Sequence, residues 1–217
     1  SQSFRFGPAL ATEANKWLSM LGAKVPLRGF DQVPTRLTDD LTPDAMLFRT
    51  NGAVVAELLH RLTEGQRVAM LGNTKEILYF VRSARDLQEK GWSSHHDLMP
   101  FQSWGQVQDY VDNDEAGADL KVMVDTIDKH GVDTIEKALG QVSTPRAADV
   151  TLSTAHKVKG AEWGSVKIGS DFRKPKPDDD GLLRPSRDLM MLAYVAITRA
   201  KDALDRGSLS WIDEALA

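Results

Sequence analysis

The chain has 217 residues, 41% of them apolar and 27% charged, with a formal net charge of −4 and no cysteine. That length supports one domain with a sizeable core and room for a small insertion. The same totals exclude disulfides, thiolate metal sites and a wholly basic nucleic-acid coat, and no apolar run approaches the roughly 18 residues of a membrane span.

No signal-peptide pattern opens the chain. The expected setting is a reducing interior, cytoplasmic or, in a eukaryote, nuclear, and not secreted. Ser3-Phe4-Arg5-Phe6-Gly7 stand directly before a predicted helix, with Pro8 suited to its first turn. Leu10, Ala14, Trp17, Leu18 and Leu21 form its apolar face, and Gly22 is its stop. Phe4 and Phe6 read either as core residues or as a base-stacking platform. With no lead-in strand, the opening reads as a piece of a longer protein.

Asp44 to Thr50 predicts a short buried strand over Ala45-Met46-Leu47-Phe48. Asn51 is then the cap of a helix facing inward with Val54, Val55, Leu58, Leu59 and Leu62. Arg67 to Leu71 predicts a second strand and Gly72-Asn73 a turn. Asn73 with Glu76 resembles a capping box for a helix bearing Ile77, Leu78, Val81 and Leu87. Two strand-then-helix units in succession argue for a parallel sheet with crossover helices.

From 91 to 140 the pattern is helical throughout: Trp104, Val107, Tyr110 and Val111, then Leu120, Met123, Val124 and Ile127, then Val132, Ile135 and Leu139. These residues read as a small helical insertion. His95-His96, in a Ser-rich loop, are expected to be solvated rather than metal ligands, and His130-Gly131 to end a helix. Asp112, Asp114, Glu115 and Asp119 lack the spacing of a calcium loop and read as solvated surface. No metal site is predicted.

Asp149 to Ser153 predicts a third strand, running into Thr154-Ala155-His156-Lys157-Val158-Lys159-Gly160-Ala161-Glu162-Trp163. Hydroxyls, a histidine, lysines and a glycine are what the carboxyl edge of a parallel sheet offers a ligand; a helical turn with a solvated basic face fits as well. Ser165 to Gly169 predicts a fourth strand. Asp171 to Pro185, with prolines, mixed charge and Gly181, predicts an exposed loop. Ser186 then caps a helix over Ser186 to Asp202 whose stripe is Leu189, Leu192, Ala193, Ala196, Ile197 and Ala200. Met191, Tyr194, Val195 and Thr198 lie opposite, so the helix is expected to be buried on both faces. Arg199 on its flank needs an anion. The alternatives are a structural ion pair, with Asp202 the one nearby candidate, or a phosphate from outside. Leu204 to Leu209 predicts a closing strand and Trp211 to Leu216 a tail helix.

Three separated stretches resemble the superfamily 1 DNA helicases of the UvrD/Rep type. Ser3-Phe4-Arg5 with the Ala14-Asn15 helix resembles their motif IV, Thr154 to Trp163 their motif V, and Tyr194-Val195-Ala196-Ile197-Thr198-Arg199-Ala200 their motif VI. The wording is similar to the F-box DNA helicase branch through Ser3 to Gly7 and Trp163 to Phe172. The resemblance implies an α/β fold, a RecA-like parallel sheet with helices on both faces, formed by residues 1–90 and 141–217. Residues 91–140 would be a reduced helical insertion, and the whole the C-terminal, second motor domain of an ATP-dependent DNA helicase.

The same resemblance implies roles. Phe4 would stack on adenine, where the family has tyrosine. Arg5 and Arg199 would be the catalytic arginines on the γ-phosphate, Glu162 would accept from the ribose hydroxyl, and Gly160 would line the nucleotide. Thr154 and His156 would face single-stranded DNA, with Lys157 and Lys159 adding phosphate contacts. ATP would be shared with an N-terminal RecA-like domain that also holds Mg2+, and no membrane partner is implied. Ala161 stands where the family has leucine, and Arg187-Asp188-Leu189-Met190-Met191 where it has a glutamate-arginine run. No Gly-rich phosphate loop ending in Lys-Ser or Lys-Thr occurs, so the chain alone is expected to be inactive. The alternative is a non-catalytic helicase-fold module serving as a nucleic-acid or protein-binding platform, which the acidic balance favours.

Overall fold

A computed structural model describes residues 1–72 and 74–216. Eight α-helices and six strands follow one another among the described residues: α1 (Pro8–Met20), β1 (Arg36–Leu37), β2 (Ala45–Phe48), α2 (Asn51–Thr63), β3 (Val68–Leu71), α3 (Thr74–Lys90), α4 (Trp104–Asn113), α5 (Ala118–His130), α6 (Val132–Leu139), β4 (Val150–Thr154), β5 (Trp163–Ile168), α7 (Arg187–Ile197), β6 (Ala200–Asp205) and α8 (Ile212–Ala215). The strands form a six-stranded parallel sheet in the order β1-β6-β5-β2-β4-β3, the expected α/β, RecA-like arrangement. No described helix is long and apolar enough to cross a membrane.

By contacts the chain divides into two compact units, residues 1–49 with 153–217, and residues 50–152. In the first, β2, β5, β6 and β1 pair side by side, with Leu47 opposite Ile168, Val166 opposite Leu204 and Leu37 opposite Leu204. Leu10, Ala14 and Trp17 of α1 join Ala193, Ala196 and Ile197 of α7 and the strand residues Leu47, Val166, Ile168 and Leu204 in one fully buried core. Phe6 belongs to that core, whereas Phe4 is 73% exposed, so the core reading holds for Phe6 and not for Phe4. All four residues of β2 are buried, as a strand covered on both faces requires.

The second unit is mostly helical. Its helices pack α2 on α5, α4 on α5 and α3 on α6. The periodicity over 104–139 forms the three expected helices, α4, α5 and α6, and Gly131, at φ 77°, ends α5 after His130. Asp112 pairs with Lys121, and Asp114 caps a short 3-10 turn, so this patch is surface.

Several expectations are corrected. The cap of α2 is Thr50, not Asn51: Thr50 is already extended at the end of β2, and its hydroxyl accepts from Ala53 N at 3.2 Å. The proposed cap at Asn73 lies outside the described residues. The helix read over Ser186 to Asp202 stops at Ile197, and β6 starts at Ala200, four residues before the expected Leu204. The Thr198 hydroxyl turns back to the Tyr194 and Val195 carbonyls, and Ala200 then joins the sheet opposite Trp163. Alanine is the strongest helix former, so pairing overrides local preference here. Nor is α7 buried on both faces, because Met191 is 49% exposed. His95, expected to be solvated, is buried against Tyr79 and Phe80, while His96 is exposed.

Candidate functional site

Thr198 is the pivot of the candidate site. It ends α7, is buried, and lies one residue before Arg199 and two before β6. Arg199 is fastened by three oxygens: Nε donates to the Val195 carbonyl (2.9 Å), Nη1 to the Ala161 carbonyl (3.3 Å) and Nη2 to the Thr198 hydroxyl (3.0 Å). Among the described residues it makes no ion pair with Asp202 or any other carboxylate. From the other end of the sequence, Arg5 Nη1 donates to the Thr198 carbonyl at 3.3 Å. The two guanidiniums therefore converge on one residue.

Glu162 lies beside them. Its Oε2 accepts from Arg5 Nε at 2.7 Å, and its Oε1 stands 3.7 Å from Lys201 Nζ. Hydrogen bonding from Arg5 holds the Glu162 carboxyl below the usual carboxylate range, with the charges of Arg5 and Lys201 acting in the same direction. Burial lowers the Arg199 pKa, and the like charge of Arg5 lowers it further. An arginine remains charged despite such a shift. The result is three cations, Arg5, Lys201 and Arg199, around a single carboxylate. Such a cluster favours an added anion, and a phosphate fits the planar donors of two guanidiniums.

The remaining sequence-derived candidates fall in two places. Phe4 is exposed next to Arg5, its ring meeting Phe30 edge-on at 5.4 Å. Gly160, at φ 89°, adopts a left-handed backbone that suits glycine, two residues before Glu162. Thr154 closes β4 and is buried. His156 and Lys157 follow in a 3-10 turn, and with Lys159 they are exposed and free of ion pairs among the described residues. Thr154 thus stands at the carboxyl end of a strand, whereas Glu162 and Arg199 stand just before the amino ends of β5 and β6. The stretch from Thr154 to Trp163 thus crosses from the carboxyl end of β4 to the amino end of β5, so the hydroxyl, histidine and lysines follow the carboxyl end while Glu162 lies at the other. Lys201 was not among the candidates.

His95, His96 and Asp97 place ligand-type atoms within 4.8 Å of one another. The two imidazoles stack at 25°, and His95 Nδ1 already accepts from Asp97 N at 3.2 Å.

No family model matches the chain. It is 31% identical to the F-box DNA helicase protein 1 of Schizosaccharomyces pombe (strain 972 / ATCC 24843), over 94% of this chain and 26% of that protein. The chain thus spans about a quarter of the length of the curated relative it matches. With the convergence of Arg5, Glu162 and Arg199 on one end of a parallel sheet, that similarity makes the chain a helicase-related segment, distantly homologous to a DNA helicase along nearly all its length.

Proposed function

We propose that this chain is the second RecA-like motor domain of an ATP-dependent DNA helicase of the UvrD/Rep type. In this reading residues 1–90 and 141–217 form the motor domain and residues 91–140 its reduced insertion. The observation that carries the proposal is the cation cluster at Thr198: Arg5 and Arg199 both donate to that residue, and one carboxylate serves three positive charges. In the motor, both guanidiniums hold the γ-phosphate of ATP and stabilise charge developing on it, an effect on the order of 10³ or more in rate for such an arginine. Phe4 offers its exposed ring to adenine, and Gly160 and Glu162 line the sugar side. His156, Lys157 and Lys159, with Thr154 behind them, supply part of the single-stranded DNA track at the other end of the strands. The phosphate-binding loop and the Mg2+ ligands come from an N-terminal RecA-like domain. Such a protein works where DNA is kept, in the cytoplasm of a bacterium or the nucleus of a eukaryote.

The test is the ATPase activity of the full-length protein with and without single-stranded DNA, for the parent and for Arg199→Ala. DNA-stimulated turnover that falls on the order of 10³ in the variant supports the motor. Single-stranded DNA binding without ATPase in the parent would instead identify a non-catalytic platform. This chain by itself is expected to hydrolyse no ATP.

A further inference from the structure

We infer that Thr35 is the positioning residue that sets the spacing of Arg5 and Arg199, an inference that rests on the motor reading above. Thr35 lies outside all three motif-like stretches, in the loop that leads into β1, and is buried. Its hydroxyl accepts from Gly7 N at 2.7 Å and donates to the Lys201 carbonyl at 2.5 Å. Gly7 is two residues from Arg5, and Lys201 is two residues from Arg199. One oxygen thus ties the backbones of both arginine-bearing segments, using its donor and an acceptor site at once.

The rest of the loop leaves that joint no slack. Phe30 N donates to the Phe6 carbonyl at 2.9 Å, and the Phe30 ring meets Phe4. A Cβ on Gly7 would sit 1.9 Å from the Val33 carbonyl oxygen, and one on Gly29 2.3 Å from the Gly7 backbone. The Arg5 side chain, by contrast, is held by a part-exposed ion pair with Glu162 and one bond to the Thr198 carbonyl, and such a pair fixes position weakly. Arginines acting together on one phosphate require placement within about 0.5 Å, and a 1 Å error costs about 10²-fold in rate. The backbone tie at Thr35 supplies that placement.

The experiment is a kinetic cycle in the full-length protein with Thr35→Val, Thr35→Ser, Arg199→Ala and the double variant Thr35→Val/Arg199→Ala. Thr35→Val keeps the shape and removes the hydroxyl; kcat for ATP hydrolysis is expected to fall by about 10- to 10²-fold per folded molecule with KM for ATP little changed. Thr35→Ser restores most of the loss. In the Arg199→Ala background, Thr35→Val adds little further loss, since no spacing between two arginines is left to set. A purely structural role would lower the unfolding temperature and leave kcat per folded molecule at the parental value. Parental kcat in Thr35→Val, or full additivity in the double variant, overturns the inference while the arginine reading stands. Parental activity in Arg199→Ala overturns that reading and the inference with it. Should Thr35→Val not fold, Thr35→Cys carries the same test, with an intermediate kcat expected and a parental one refuting it.

Discussion

Arg5 and Glu162, 157 positions apart in the chain, are joined by a 2.7 Å bond from Nε to Oε2. The pair gives one end of the sheet its electrostatic character. Arg5 is the first neutraliser of Glu162 and Lys201 a more distant one, while Arg199 faces the cluster with no carboxylate bonded to it among the described residues. An anion arriving here would find Arg199 free of acidic competition and Arg5 already engaged. In the proposed motor, Glu162 would set how readily Arg5 turns to a phosphate.

The first prediction follows from that tuning. Hydrogen bonding to Arg5 lowers the folded-state pKa of Glu162 below its ordinary value of about 4.3. A depressed acid contributes stability above the unfolded pKa and loses it as pH falls through the folded one. Arg5→Ala should raise the Glu162 carboxyl pKa toward the ordinary value, leaving only Lys201 to hold it down. Carboxyl-carbon NMR titration of the parent and the variant reads this directly; equal midpoints would disprove the coupling.

A second prediction concerns the core. Trp17 is fully buried, edge-on to Trp211 at 5.2 Å and 83°, and its indole Nε1 has no hydrogen-bond partner among the described residues. An unpaired buried donor costs about 1–3 kcal/mol. Trp17→Phe removes that donor along with some volume, so the two effects offset and the net loss should be about 1 kcal/mol. Trp17→Ala, which leaves a cavity, should cost about 3–5 kcal/mol. Urea unfolding of both variants measures the gap, and a Trp17→Phe loss well above about 1 kcal/mol would show that the orphan donor carries no penalty.

Legibility in the sequence followed the range of the interactions. Periodicity alone located α1, β2 and the helices over 104–139, because each buries a face whose spacing is local. It failed at Ala200 and Ala203, where strand pairing with β5 recruits residues that prefer helix, and at Arg36–Leu37, a strand too short to carry a period. His95 was read as solvated because its burial comes from Tyr79 and Phe80 on α3, which neighbouring residues do not announce. At the candidate site, the nearness of Arg5, Glu162 and Arg199 came from resemblance and not from pattern. Thr35 and Lys201 gave no local sign at all, since their meaning lies in backbone partners far away in the chain.

A third prediction uses a surface pair. Asp149 receives the Arg67 guanidinium at 2.6 Å and the Arg67 backbone N at 2.8 Å, which brings its pKa down to about 2. The sign is that of any depressed carboxyl: the contribution is complete above about pH 3.9 and disappears as pH falls through about 2. Asp149→Asn keeps the oxygen that meets the backbone N–H and loses the charge. Its unfolding temperature should lie below the parent's near neutral pH and approach it toward pH 2. A difference independent of pH would assign the effect to geometry instead of charge.

The last prediction turns on His95, the residue whose environment the sequence concealed. Burial lowers its pKa; the attraction of Asp97 opposes the shift, and the charge of the stacked His96 adds to it. Folding thus favours the neutral ring, while the unfolded chain takes up a proton near pH 6.5. The unfolded state binds more protons below that point, so stability is complete above about pH 6.5 and declines as pH drops toward the lower folded value. This is opposite to the behaviour of a histidine that gains a carboxylate partner on folding. His95→Phe removes the titration and keeps a ring against Tyr79 and Phe80, though it also leaves Asp97 N without the Nδ1 acceptor. The variant should lose stability at pH 8 through that bond and lose less than the parent between pH 7 and pH 5. Chemical denaturation at the three pH values separates the two effects, and parallel declines in parent and variant would show that His95 is not the group that titrates.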